Sequence, residues 1–192
     1  MNTLNKDIFT EYGVLYKQVQ SIKSIFDYSY ILNTYIDNNY WADRIKNIFN
    51  VNQVDNLTDF NYSKCFSYHV DINNEGLKIG HSDFDKFLKD HGLIYRIEIL
   101  ISVLGPFITT HFFKYTMESG EVILKSSNKP FEDIHNIFSV KIIEFCRKFF
   151  LKMISDEDLR KTINDISLEV AGKSPSIYNI FFDDIASKFP YD

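Results

Sequence analysis

The chain has 192 residues, a formal net charge of −5 and 45% hydrophobic side chains, among them 18 Phe, 12 Tyr and one Trp. That is enough for one substantial core, whereas two independent domains would each be small. The acid excess disfavours nucleic acid, whose phosphates need clustered Lys and Arg. With only seven Gly and four Pro, long elements and few loops are expected.

Ile8, Tyr12, Leu15, Val19, Ile22 and Phe26 recur at spacings of three and four, the stripe of an amphipathic helix. Asp37 reads as the N-cap of a second helix carrying Trp41, Ile45, Ile48 and Phe49, so residues 1–50 form a helical N-terminal region. Tyr28, Tyr30, Tyr35, Tyr40 and Trp41 are too many for one stripe, which points to a second buried face or a homodimer contact there. Residues 50–63, rich in Asn and Asp, read as a loop.

From residue 64 to 126 the period becomes two. Phe66, Tyr68, Val70 and Ile72 alternate with polar residues, and Leu77 and Ile79 resume after the turn at 73–76, which predicts a hairpin. Ser82 to Gly92 reads as a short helix with Phe84, Phe87 and Leu88 on one side. Next comes a strand with Tyr95, Ile97, Ile99, Ile101 and Val103 on its drier face. Arg96, Glu98, Leu100, Ser102 and Leu104 occupy the wetter one. Gly105-Pro106 ends it, and Thr109–Met117 and Val122–Lys125 follow as strands around a turn at 118–120.

A long helix is expected over 130–153, its stripe of Ile134, Phe138, Ile142, Phe145 and Phe149 lying on the sheet. Ser155-Asp156-Glu157-Asp158 reads as the capped start of a short helix. Two terminal strands, Ile166–Val170 and Ile177–Phe182, fill 165–182. The whole is a single α+β domain, 1–192: a mainly antiparallel sheet of about five to seven strands packed by the long helix.

Motifs for chemistry are sparse. Asp71-x-Asn73-x-Glu75-Gly76 copies the start of a calcium loop, but its twelfth position is Ser82 where a bidentate Glu is needed. Cys65, Ser67, His69 and Asp71 share one strand face, yet residues four apart on a strand stand about 13 Å apart, too far for Cys65 and His69 to bond. His81 and His91 bracket Asp83, Asp85 and Asp90, but ten residues of helix separate the two imidazoles by about 15 Å. No metal or cofactor is implied. Glu98, in the most apolar strand, is a carboxylate whose pKa burial could raise, with Arg96 its same-face ion-pair partner.

Cys65 and Cys146 lack the spacing of a disulfide framework or a zinc site and read as reduced thiols. Residues 1–7 lack the apolar core of a signal peptide, and Leu93–Phe113 is interrupted by Arg96, Glu98, Pro106 and His111. A cytoplasmic protein without membrane contact is expected.

The run Ile99-Leu100-Ile101-Ser102-Val103-Leu104-Gly105-Pro106-Phe107 and the ending Ser176-Ile177-Tyr178-Asn179-Ile180-Phe181-Phe182-Asp183-Asp184 resemble segments of small acidic bacterial immunity proteins of polymorphic toxin systems. The resemblance implies a cytosolic, non-catalytic protein that binds and blocks a toxin, a basic domain by charge. Acidic groups that could face it are Asp83, Asp85 and Asp90; Asp156, Glu157 and Asp158; and Asp183 with Asp184. Arg96 and Glu98 are the candidates on the sheet face. The alternatives are an enzyme with a pocket between the long helix and the sheet and His111 or His69 as acid or base, and an oligomeric adaptor built on the N-terminal helices.

Overall fold

The structure is a computed structural model that describes residues 39–60, 63–72, 76–164 and 167–183. The predicted first helix, with its stripe from Ile8 to Phe26, lies outside them, as do Tyr28, Tyr30, Tyr35, Asp37, Asn73, Glu75 and Asp184.

Helix α1 (Tyr40–Phe49) buries Ala42, Ile45 and Phe49, and Asn50 closes it at φ 53°. A two-residue strand β1 (Asp55–Asn56) occupies the predicted loop and pairs with β2 (Cys65–Asp71). Helix α2 (Ser82–His91) ends where expected, at Gly92 with φ 81°, a conformation that a Cβ disfavours. Strands β3 (Leu93–Ser102), β4 (Phe107–Glu118) and β5 (Glu121–Ser127) form the antiparallel centre. Helix α3 (Asp133–Lys148) is followed by β6 (Lys152–Met153), α4 (Asp156–Leu159), β7 (Ser167–Leu168), β8 (Gly172–Lys173) and α5 (Ile177–Phe181).

The fold is α+β. Its six-stranded sheet runs β1-β2-β3-β4-β5, and β6 joins β4 in parallel at Phe107 and Ile108. A separate β7-β8 hairpin stands apart from that sheet. Among the described residues no helix is long and apolar enough to cross a membrane.

Three further element predictions are corrected. The hairpin expected at 73–76 does not form: Leu77 and Ile79 are outside any strand, and β2 pairs with β3 from Cys65↔Ser102 to Asp71↔Arg96. Pairing with β3 takes all seven residues of β2 into one continuous antiparallel ladder. The long helix stops at Lys148 rather than 153, with Phe150 at φ 54°, and its continuation becomes β6. The second terminal strand is helix α5. Ser176 and Asn179 form a reciprocal capping box at its start, and all five residues are buried, so no alternation marked it as strand or helix.

One sheet face carries Phe66, Tyr68, Val70, Ile97, Ile99, Ile101, Ile108 and Phe112, covered by α1 and by Phe138, Ile142 and Phe145 of α3. Trp41 is half-buried against this core, its ring 5.9 Å from Phe145 and 5.7 Å from Phe149. Full burial of each such side chain contributes about 1.5–3 kcal/mol, which makes this the principal core.

The opposite face, expected to be wet, is also covered. Leu159 and α5 pack on Cys65, Leu100 and Phe107 at one end, while Phe84 and Leu88 of α2 pack on Ile94, Phe113 and Tyr115 at the other. Arg96 is 3% exposed, and Ser102 is buried with its hydroxyl donating to Phe181 O at 2.7 Å. The alternation in β3 thus distinguishes two kinds of core rather than inside from outside.

Candidate functional site

Between the two apolar clusters of this second face runs a polar row set by strand register. His69 of β2 and His111 of β4 are both direct partners of Glu98 on β3. Period-two geometry turns all three side chains to one side. His111 Nδ1 is 2.6 Å from Glu98 Oε2, and His69 Nε2 is 3.4 Å from Oε1, so each carboxylate oxygen meets an imidazole. Glu98 keeps 17% of its side chain exposed and His111 1%.

Burial by itself would raise the Glu98 pKa, but the hydrogen bonds and charge of His111 and His69 outweigh it and bring the pKa down to about 2. The rise that burial in the apolar strand could have given is therefore outweighed. Glu98 is a fixed anion that orients two imidazoles.

Arg96 does not pair with Glu98. Its Nε donates to Asp71 Oδ1 and its Nη2 to Asp71 Oδ2 (3.1 Å) and to Leu77 O (3.1 Å). Asp71, the first position of the calcium-like segment, is thus committed to a buried guanidinium, and Arg96 is no exposed sheet-face contact.

Two cavities open on the ends of the row. One of about 410 Å³ is lined by Asp55, Leu57, His69, Leu77, Ile79 and Arg96. The other, of about 260 Å³, is lined by His111, Ser126, Lys129, Asp156 and Arg160. Both histidines therefore lie on the face away from α3, and the pocket expected between the long helix and the sheet is not where they are found.

The acidic candidates divide by environment. Asp83 and Asp90 are exposed on α2 and Asp85 is half-buried there. Glu157 is exposed on α4, Asp156 lines the His111 cavity, and Asp158 is bound by Lys161 and by the capping Ser155. Asp183 accepts from Ser63 Oγ at 3.3 Å where α5 closes on β2. Helices α2 and α4 both pack on the Glu98 side, at opposite ends of the strands. The structure thus gathers the first two groups around one face and gives Asp183 a structural bond.

His91 is occupied locally: Nδ1 meets Phe87 O at 3.0 Å and the ring stacks on Phe87 at 4.0 Å. Among the described residues no group of three or more His, Cys, Asp or Glu is arranged to hold a metal ion. The His69–Glu98–His111 row was missed in the sequence because 29 and 13 residues separate the partners. A polar residue at the matching alternate position of each strand is its signal, but that signal needs the register. In comparisons with known proteins, no family model matches the chain, and neither a curated protein nor a solved structure matches it.

Proposed function

We propose that the chain is a non-catalytic, cytosolic binding protein of the immunity type, which neutralises a toxin by covering it with the outer surfaces of α2 and α4, the helices that lie over the Glu98 side of the sheet. The observation that carries this reading is the exposure of Asp83 and Asp90 on α2 and of Glu157 on α4, helices that lie at the two ends of one face. Negative charge at both rims would steer and orient a basic partner. The Glu98 carboxylate, with both oxygens occupied, serves to fix the platform between them.

Co-expression with the product of the neighbouring gene tests it. Rescue from toxicity and a complex in pull-down support the reading, with Asp83→Lys plus Asp90→Lys slowing association roughly tenfold at low salt. No rescue together with no complex overturns it.

A second reading is favoured by one geometric fact, the 2.6 Å bond that orients His111 while the same residue lines a cavity. A carboxylate-oriented imidazole beside a pocket is the arrangement of a general acid or base. A His111→Gln variant that abolishes turnover of a ligand bound in the cavity would establish it. Absence of any small-molecule shift for His111 in an NMR ligand screen would remove it.

A further inference from the structure

We infer that two copies of this chain join edge to edge through β5, pairing antiparallel about a two-fold axis at Ile123 so that the two sheets become one. Strand β5 is the end of the sheet path and has a neighbour on one side only among the described residues. Its register with β4 runs unbroken through seven pairs, from Phe112↔Ser127 to Glu118↔Glu121, without a bulge to twist the edge away. The other strand on that side of β4, β6, is bonded at Phe107 and Ile108, seven residues or about 23 Å from Tyr115, so it leaves Leu124 clear.

The backbone phase suits a partner. Ser119 (φ 51°) and Gly120 (φ 86°) form a two-residue turn of the left-handed hairpin type, which closes on a hydrogen-bonded Glu118/Glu121 pair. Bonded and non-bonded pairs alternate, so Glu121, Ile123 and Lys125 aim N–H and C=O at β4. Val122 and Leu124 aim theirs at the free edge. A two-fold axis at Ile123 sets Val122 opposite Leu124 of the second copy, which supplies four backbone hydrogen bonds.

The side chains are self-complementary in the same register. Val122 (39% exposed) meets Leu124 (52% exposed) on one face, twice over by symmetry. On the other face Ile123 meets its own copy and Glu121 meets Lys125. Within one chain Glu121 stands opposite Glu118, and Lys125 stands opposite Lys114. Such like-charge cross-strand pairs are destabilising. The second copy converts each into a four-strand row of two acids facing two bases. Lys114 is already bonded to Glu132 at 3.1 Å, whereas Glu121 and Lys125 have no ion-pair partner among the described residues. The charges that elsewhere blunt an edge strand are here placed so as to attract its own copy.

An interface of this kind buries less than about 1,200 Å², the class of weak, concentration-dependent contacts. The test is sedimentation velocity of the full chain across micromolar to near-millimolar concentrations, with circular dichroism to confirm that each variant is folded. The expected result is a monomer–dimer equilibrium that Glu121→Lys or Lys125→Glu each weakens roughly tenfold. An equimolar mixture of the two single variants restores it, because every contact row then regains opposite charges. A wild-type chain that stays monomeric throughout overturns the inference. So does a dimer that neither reversal weakens, which would place the contact on another surface.

Discussion

Glu98 and His111 are direct register partners on adjacent strands, and the imidazole Nδ1 lies 2.6 Å from the carboxylate Oε2 in a position only 1% exposed. Together with His69 on the other side, this pairing places an anion in the middle of a face that is apolar at both ends.

Its first consequence is acid sensitivity. The folded Glu98 pKa, about 2, lies below its ordinary 4.5, so its stabilisation is complete above about pH 4.5 and is lost as pH falls toward 2. The shift is worth about 3 kcal/mol. Urea unfolding at pH 7 should find Glu98→Gln less stable by about that amount, with the gap to wild type closing by about pH 2. A gap that is constant with pH would mean that the carboxylate charge is not what matters.

His135 acts in a higher window. Its Nδ1 accepts from Phe131 N–H at 3.2 Å, and its ring lies among Tyr95, Phe112 and Phe131, where burial lowers its pKa from 6.5 to about 4. Because the folded value is the lower one, stability is complete above about 6.5 and falls as pH drops toward 4. His135→Asn keeps an acceptor for Phe131 and removes the titration. The variant should lose less stability than wild type between pH 7 and 4.5, and equal losses would exclude His135 as the source.

The Arg96–Asp71 pair should be expensive to break and cheap to replace. Asp71→Ala strands a guanidinium that is 3% exposed and is expected to cost about 3–5 kcal/mol. Arg96→Met combined with Asp71→Leu should recover most of that loss in chemical denaturation. A single-variant loss under about 1 kcal/mol would show the pair to be solvated.

The thiols should be inert while the chain is folded. Burial, with the charges of Glu98 and Asp183, raises the Cys65 pKa well above its ordinary value, and burial pushes Cys146 up to about 11. Both are buried and unpaired with each other. Ellman's reagent at pH 8 is expected to react with neither in the native protein and with both in denaturant. Rapid reaction of one native thiol would mark a locally open segment.

Legibility in the sequence followed periodicity. Helix α2 and its glycine stop and the apolar stripe of α3 repeat with a clear period because each helix buries one face, and the β3–β4–β5 centre is marked by period-two alternation between turn residues at 105–106 and 118–120. Helix α5 was misread because every residue of Ile177–Phe181 is buried and no period survives. Strand β2 was assigned the wrong partner because local turn chemistry at 73–76 competes with a long-range pairing that only the assembled sheet rewards.

By itself, then, the sequence determined the α+β class, an antiparallel centre between residues 93 and 126, and a side of the sheet bearing Arg96 and Glu98. Only the tertiary structure decided that this side is covered, that Arg96 belongs to Asp71, and that Glu98 lies between His69 and His111. The reason is physical. A strand's alternation reports which residues share a side, but which side chains meet is set by register and by what packs above, and both are properties of contacts between distant segments.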